Sequence, residues 1–275
     1  MRPVSKSLQE YTRGVAGGLL FSLPLLYTME VWWAGFVAHP WRLALYVAAT
    51  FALLLGYNRF LGLRRDSCFP EVVIDSIEEL GLGLLIATLV LWLLGRVTAD
   101  MAATEVVGKV VVEAMTVAIG VSVGTAQLGG GEGGDGDKGE AGAGAGGFGS
   151  QVIISLCGAV LFAANVAPTE EITLIAFEIS PWRLLGLAAL SLTLGALILY
   201  YSEFTGAREA VRFDSHHDVL VGTVVTYTVA LLASAAILAF FGRFDGQAFA
   251  MCVAQTVVLG VAATMGASAG RLLLQ

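Results

Sequence analysis

Apolar residues run through this chain in eight long blocks, at roughly 14–37, 41–61, 72–95, 104–127, 152–178, 182–203, 218–241 and 246–270, parted by short polar corners. Each block reaches the ~20 residues that an α-helix needs to cross a bilayer. The pattern predicts an all-α polytopic membrane protein with eight transmembrane helices. The fifth block is interrupted, because Asn165-Val166-Ala167-Pro168-Thr169-Glu170-Glu171 sets a helix breaker and two carboxylates inside it. Proline frees a carbonyl one turn back, near Ala164, and in lipid such a group must line protein or a water-filled cavity. A charge at the bilayer centre costs at least ~3 kcal/mol, so these acids are candidates for function.

Laying the second half over the first reveals self-similarity. Pro40-Trp41-Arg42-Leu43 matches Pro181-Trp182-Arg183-Leu184 at an offset of 181 − 40 = 141. The same offset pairs Leu20-Phe21 with Leu161-Phe162, Thr28 with Thr169, Glu30 with Glu171 and Phe36 with Phe177. Asp75-Ser76 aligns with Asp214-Ser215 at 139, and an offset of 142 puts Glu113 on Gln255. Two repeats of four spans each begin on the same side, so they are expected to be parallel, related by an axis along the membrane normal. The first repeat covers 1–128 and the second 151–275, joined by a Gly-rich linker at 129–150. That linker has no apolar face to bury and reads as a flexible tether. Its Asp135-Gly136-Asp137 lacks the later ligands of a Ca²⁺ loop.

Composition agrees with a membrane protein, at 57% hydrophobic, 13% charged and a mean hydropathy of +0.80. The 15 Lys and Arg are scattered, which excludes a nucleic-acid surface. Cys68, Cys157 and Cys252 have neither metal spacing nor a disulfide framework. The first apolar run continues past the core of a signal peptide, so no cleavage is expected. One side of the membrane receives Arg2, Lys6, Arg13, Arg59, Arg64, Arg65, Lys138, Arg208, Arg212 and Arg271; the other receives Arg42, Arg96, Arg183 and Arg243. Ten basic residues against four put both termini and the Gly-rich linker in the cytoplasm.

Helical rise puts Glu30 and Glu113 roughly 10 and 13 Å below the outer surface. With Glu170 and Glu171 from the second repeat they predict a carboxylate cluster, and acids sharing a low-dielectric site cannot all ionise without a cation. Asn165, Thr28 and Thr169 supply neutral oxygens beside the breaks at Pro24 and Pro168, a donor set suited to a hard cation. Structural hydrogen bonding between helices is the plainer reading of any one of these acids. Glu105, Lys109 and Glu113 share a helix face, where Lys109 can neutralise either acid. Asp75, Glu78 and Glu79 repeat the i, i+3, i+4 spacing of Asp214, His217 and Asp218, which fits an acidic cytoplasmic mouth with His216 nearby, or polar residues gathered at helix ends.

From Asn165 to Glu171 and the two Pro-Trp-Arg corners, the chain resembles a family of bacterial integral membrane proteins described only as of unknown function. The resemblance implies no activity. The residues themselves point to a cation transporter or channel, exchanging with protons, whose partners are the lipid bilayer, an inorganic cation and protons, with no resident cofactor and no enzymatic step. A homo-oligomer is compatible with the sequence. The rival reading is a non-transporting sensor or assembly protein whose buried acids are structural. A metal hydrolase built on His216, His217 and Asp218 ranks last, because no H-E-x-x-H spacing is present.

Overall fold

The computed structural model describes residues 4–61, 68–127, 148–205 and 216–273, and every element among them is an α-helix. In chain order these are α1 Val4–Leu26, α2 Met29–Val37, α3 Pro40–Leu61, α4 Phe69–Leu93, α5 Ala103–Gln127, α6 Phe148–Val166, α7 Glu170–Glu178, α8 Pro181–Thr205, α9 His216–Phe240 and α10 Phe249–Leu273. Seven of the described helices are long and apolar enough to cross a membrane, and an eighth span results if the bent pair α1 and α2 is counted as one. The chain divides into two compact units, Met1–Gly139 and Glu140–Gln275.

In the first unit α5 is the inner helix. α1, α2, α3 and α4 all pack on it, and α4 also meets α1 and α3. The apolar run of α5 is 78% buried, against 22% and 28% for α3 and α4, so α5 carries the core and the others face outward. Glycines permit this. Gly17 of α1 lies on Gly120 and Gly124, Gly35 of α2 lies on Gly108, and a methyl on Gly17 would overlap the Gly124 Cα. Lipid tails are as apolar as leucine, so such close backbone approach is a main source of helix adhesion in a membrane. Leu26, Ile86, Ala87, Met115, Val117 and Val121 fill the space beside the crossing.

In the second unit α10 takes that position. α6, α7, α8 and α9 pack on it, and α9 also meets α6 and α8. Gly158 of α6 lies against Gly266 and Gly270, amid a core rich in alanine that includes Ala159, Ala163, Ala230, Ala233, Ala263 and Ala267.

Each unit therefore has five described helices where the apolar blocks predicted four. The fifth block ends as α6 at Val166 and restarts as α7 at Glu170. The first block breaks as well, between Leu26 and Met29, and the segment Tyr11–Leu26 meets α2 at 85°. Rise along the chain ceases to measure depth beyond such a bend, so the depth of ~10 Å expected for Glu30 does not follow. Phe148 to Ser150, read from composition as the end of the Gly-rich linker, begin α6.

Candidate functional site

The two breaks are built alike. Pro24 lies in the last turn of α1, and beyond it the Thr28 N–H donates to Leu25 O at 2.9 Å while its hydroxyl takes Pro24 O at 2.7 Å. After α6, the Thr169 N–H and hydroxyl both meet Val166 O, at 3.1 and 2.9 Å, and Asn165 Nδ2 donates to Leu161 O at 2.5 Å. The Thr28 hydroxyl thus serves the Pro24 carbonyl while its own N–H goes to Leu25 O, and Thr169 and Asn165 add side-chain donors to the Val166 and Leu161 carbonyls at the end of α6. Glu30 falls in the first turn of α2, and Glu170 and Glu171 in the first turn of α7. A carboxylate there answers the unpaired N–H groups and the positive end of the helix dipole. The backbone N–H of Glu171, then the Thr169 hydroxyl, then Arg243, hold the exposed Glu171 carboxyl below its ordinary value, outside the seven long spans.

An arginine reaches each elbow. α4 ends in a Schellman turn: Gly95 adopts φ 68°, its N–H donates to Trp92 O at 3.0 Å, and the Arg96 N–H returns to Leu91 O at 2.8 Å. α9 ends the same way, with Gly242 at φ 71°, Gly242 to Ala239 O at 3.1 Å and Arg243 to Leu238 O at 2.9 Å. Each turn throws its arginine back onto the break. The Arg96 guanidinium lies 4.4 Å from the Trp32 ring centroid, and Trp32 Nε1 donates to Leu26 O at 3.1 Å, the last residue of α1. Arg243 Nη2 donates to Pro168 O.

Within α5, Lys109 pairs with Glu105 at 2.6 Å and reaches the Arg96 carbonyl at 3.5 Å. That choice leaves Glu113 alone. It is fully buried at 0% exposure, and neither carboxyl oxygen has a hydrogen-bond partner among the described residues. Tyr46 of α3, bonded to the Thr116 hydroxyl at 3.2 Å, stands within electrostatic reach of Glu113. Gln255 of α10 is likewise buried at 0%, with neither amide atom partnered among the described residues.

A second polar group joins α3, α4 and α5. Asn58 Nδ2 donates to Glu79 Oε2 at 2.7 Å and to Ser76 Oγ at 3.0 Å, and the Ser122 hydroxyl meets Asn58 Oδ1 at 3.3 Å. Asn58, Ser76 and Ser122 are all buried. Glu79 thus turns inward, whereas Glu78 is exposed and meets the Tyr11 hydroxyl at 3.4 Å, and Asp75 is half-buried one turn earlier. Asp214 lies outside the described residues; His217 and Asp218 stand in the first turn of α9.

A family model described as "Putative integral membrane protein (DUF2391)" matches residues 10–274, nearly the whole chain. The chain belongs to this family. Neither the curated proteins nor the solved structures contain a match. The family description brings a membrane and no chemistry, so function must be argued from the side chains.

Among the described residues no three His, Cys, Asp or Glu side chains stand together as a metal-binding group. The two inward acids of the first unit differ in setting: Glu113 is fully buried within electrostatic reach of Tyr46, and half-buried Glu79 stands with an amide and two hydroxyls while Asp75 and Glu78 act on it from the same helix. Sequence reasoning missed the two elbow arginines, although Leu94-Gly95-Arg96 and Phe241-Gly242-Arg243 carry the signal of a helix stop with its C″ residue supplied. It also missed Arg271. Assigned by charge counting to a loop, this residue is 4% exposed and donates to Thr226 Oγ1 at 2.9 Å and Gln151 Oε1 at 3.2 Å.

Proposed function

We propose that this chain is a membrane cation transporter or channel working in exchange with protons, and that Glu113 is the carboxyl on which the exchange turns. The observation that carries this is the isolation of Glu113: a fully buried acid in the inner helix of its unit, with neither oxygen hydrogen-bonded among the described residues. An acid retained for helix packing would have a partner, since buried polar groups are almost always satisfied. Left without one, the carboxylate can be neutralised only by a proton or a cation, and alternation between the two is the elementary step of exchange. Lys109, one turn away, is engaged by Glu105 and leaves the position open. Glu30 at one elbow, and Glu170 and Glu171 at the other, would gather cations from the side on which the half-helices begin. The ion is cargo, so no resident cofactor and no enzymatic step is invoked.

The reading includes two parallel copies of one five-helix motif. It is supported by the shared order of packing, by the two Schellman arginines and by the crossing glycines. Gly17 on Gly120 and Gly124 corresponds to Gly158 on Gly266 and Gly270, an offset of 266 − 120 = 146 in the last helix. In that register Gln255 answers Lys109 and Glu113 answers Leu259, which replaces the Glu113 and Gln255 pairing obtained at 142. For the bacterial inner membrane with cytoplasmic termini the support is loop charge, nine basic residues against four once buried Arg271 is set aside, 10 − 1 = 9.

Purified protein in liposomes tests the reading. Uptake of Na⁺, K⁺, Mn²⁺ or Ca²⁺, measured with and without a pH gradient, is expected in wild type and absent in Glu113→Gln. Folded wild-type protein that moves none of these ions would overturn transport and favour a sensor or assembly role.

A further inference from the structure

We infer that Asn58, Ser76, Glu79 and Ser122 form a binding site for a small dehydrated monovalent cation of the Na⁺ class, exchanging with a proton on Glu79. The inference names the ion for the transport reading and rests on that reading for its use, while binding stands on its own geometry.

Three helices converge to build the site, α3 with Asn58, α4 with Ser76 and Glu79, and α5 with Ser122. All of its donors are hard oxygens or can present one. Ser76 gives its proton to Val72 O at 2.8 Å, so its lone pairs face Asn58. Ser122 can donate or accept, and the Asn58 amide has an oxygen on one side and an NH₂ on the other. In the arrangement described, the NH₂ faces Glu79 and the oxygen faces Ser122. Turning the amide over exchanges them. The oxygen then faces a cation held by Glu79, the NH₂ donates to Ser122, and no buried polar group is stranded. The loaded and unloaded states thus use the same residues with one torsion reversed.

Charge selects the valence. Within the hydrogen-bonded group Glu79 is the single carboxylate, so a monovalent ion balances the charge that the group itself holds, while Asp75 and Glu78 of the same helix act on Glu79 through space. Softness selects the chemistry, since amide, hydroxyl and carboxylate oxygens suit a hard cation. Other charged groups on the packed elements lie toward one end of the bundle: Asp75 and Glu78 on α4, with Tyr11 of α1 on Glu78, half-buried Arg13 of α1 near Gly124, and Arg59 of α3 exposed beside Asn58. The two acids would concentrate cations at the approach. Asn58 is three residues from the end of α3 and Ser122 five from the end of α5, so the site lies roughly 5–8 Å inside that end. Along α5, Ser122 is nine residues from Glu113, a separation of about 14 Å.

The test labels full-length protein in detergent with dicyclohexylcarbodiimide, which modifies protonated carboxyls in apolar surroundings, and reads Glu79 and Glu113 separately by peptide mass spectrometry. Wild type is expected to label at Glu79 in N-methyl-D-glucamine chloride, with Na⁺ at equal ionic strength suppressing the label. Ser122→Ala, a small change that removes one oxygen, should raise the Na⁺ needed by about tenfold. Labelling indifferent to Na⁺, protection by Ca²⁺ alone, or no labelling of Glu79 at any pH would each overturn the site. Na⁺ protection in protein that shows no liposome flux would keep the site and remove transport; flux without protection would do the reverse.

Discussion

Arg243 donates through Nη2 to the backbone carbonyl of Pro168, 75 residues upstream, and so ties the turn between α9 and α10 to the break between α6 and α7. The first unit makes the same tie with different atoms, Arg96 stacking on Trp32 while Trp32 closes onto Leu26 O. A broken span exposes backbone groups that lipid cannot satisfy. In the second unit the arginine of a later turn supplies a donor; in the first, Trp32 supplies it and the arginine packs on the Trp32 ring.

Arg243→Ala should therefore destabilise the second unit, by roughly 1.5–3 kcal/mol for a charged hydrogen bond withdrawn from a half-buried carbonyl. Arg243→Lys, with a point charge on a flexible stem, should recover part of the loss. Thermal unfolding in detergent, followed by a thiol-reactive dye at buried Cys157, measures it. Equal melting of wild type and Arg243→Ala would mean that the elbow holds without the arginine.

Gly158→Ala should be more harmful than its size suggests, because the added methyl meets the Gly266 carbonyl, backbone that cannot step aside. Overpacking of this kind costs roughly 1–3 kcal/mol. Gly186→Ala on α8 is the control: nothing lies near its Cβ, so helix propensity alone should stabilise by about 0.5–1 kcal/mol. Opposite shifts of the melting temperature would verify the crossing, and equal shifts would refute it.

Membrane character and the all-helical fold were legible in the sequence because eight apolar blocks leave the backbone no other way to satisfy itself in lipid. The break at Pro168 was legible for the same reason, as a proline and two acids cannot continue a span. The break after Pro24 was read from that proline in the same way, but its 85° angle leaves no compositional trace. Glu79 and Arg271 were read from charge spacing and charge counting alone, without their partners. Spacing along one helix does not reveal that Asn58 approaches from α3, or that Thr226 and Gln151 approach Arg271 from α9 and α6. Partners on other helices are tertiary information, and they decide whether a charge near a helix end faces water or protein.

The depressed value of Glu171 carries a pH dependence with a definite sign. Its charged form is favoured by its own backbone N–H, by Thr169 and by Arg243, so it stabilises the start of α7 above the 4.5 of a free glutamate. That contribution is lost as pH falls through the lower folded value. Hydrogen exchange at the first amides of α7 should accelerate in wild type relative to Glu171→Gln at neutral pH less than it does in acid. A difference between the two proteins that stays constant across the range would show that the carboxylate does not hold the helix start.

Glu113→Leu separates a functional acid from a structural one most sharply. A packing acid would have partners to strand, and its removal would destabilise; Glu113 has no hydrogen-bond partner among the described residues. Leucine instead exchanges an unsatisfied polar group for an apolar one at a fully buried position, and should raise stability by roughly 1–3 kcal/mol. The same variant should abolish cation flux. Gained stability with lost activity is what a site maintained against its own folding cost predicts. If Glu113→Leu melts lower than wild type, the acid has a structural partner after all, and Glu79 becomes the carboxyl on which any transport depends.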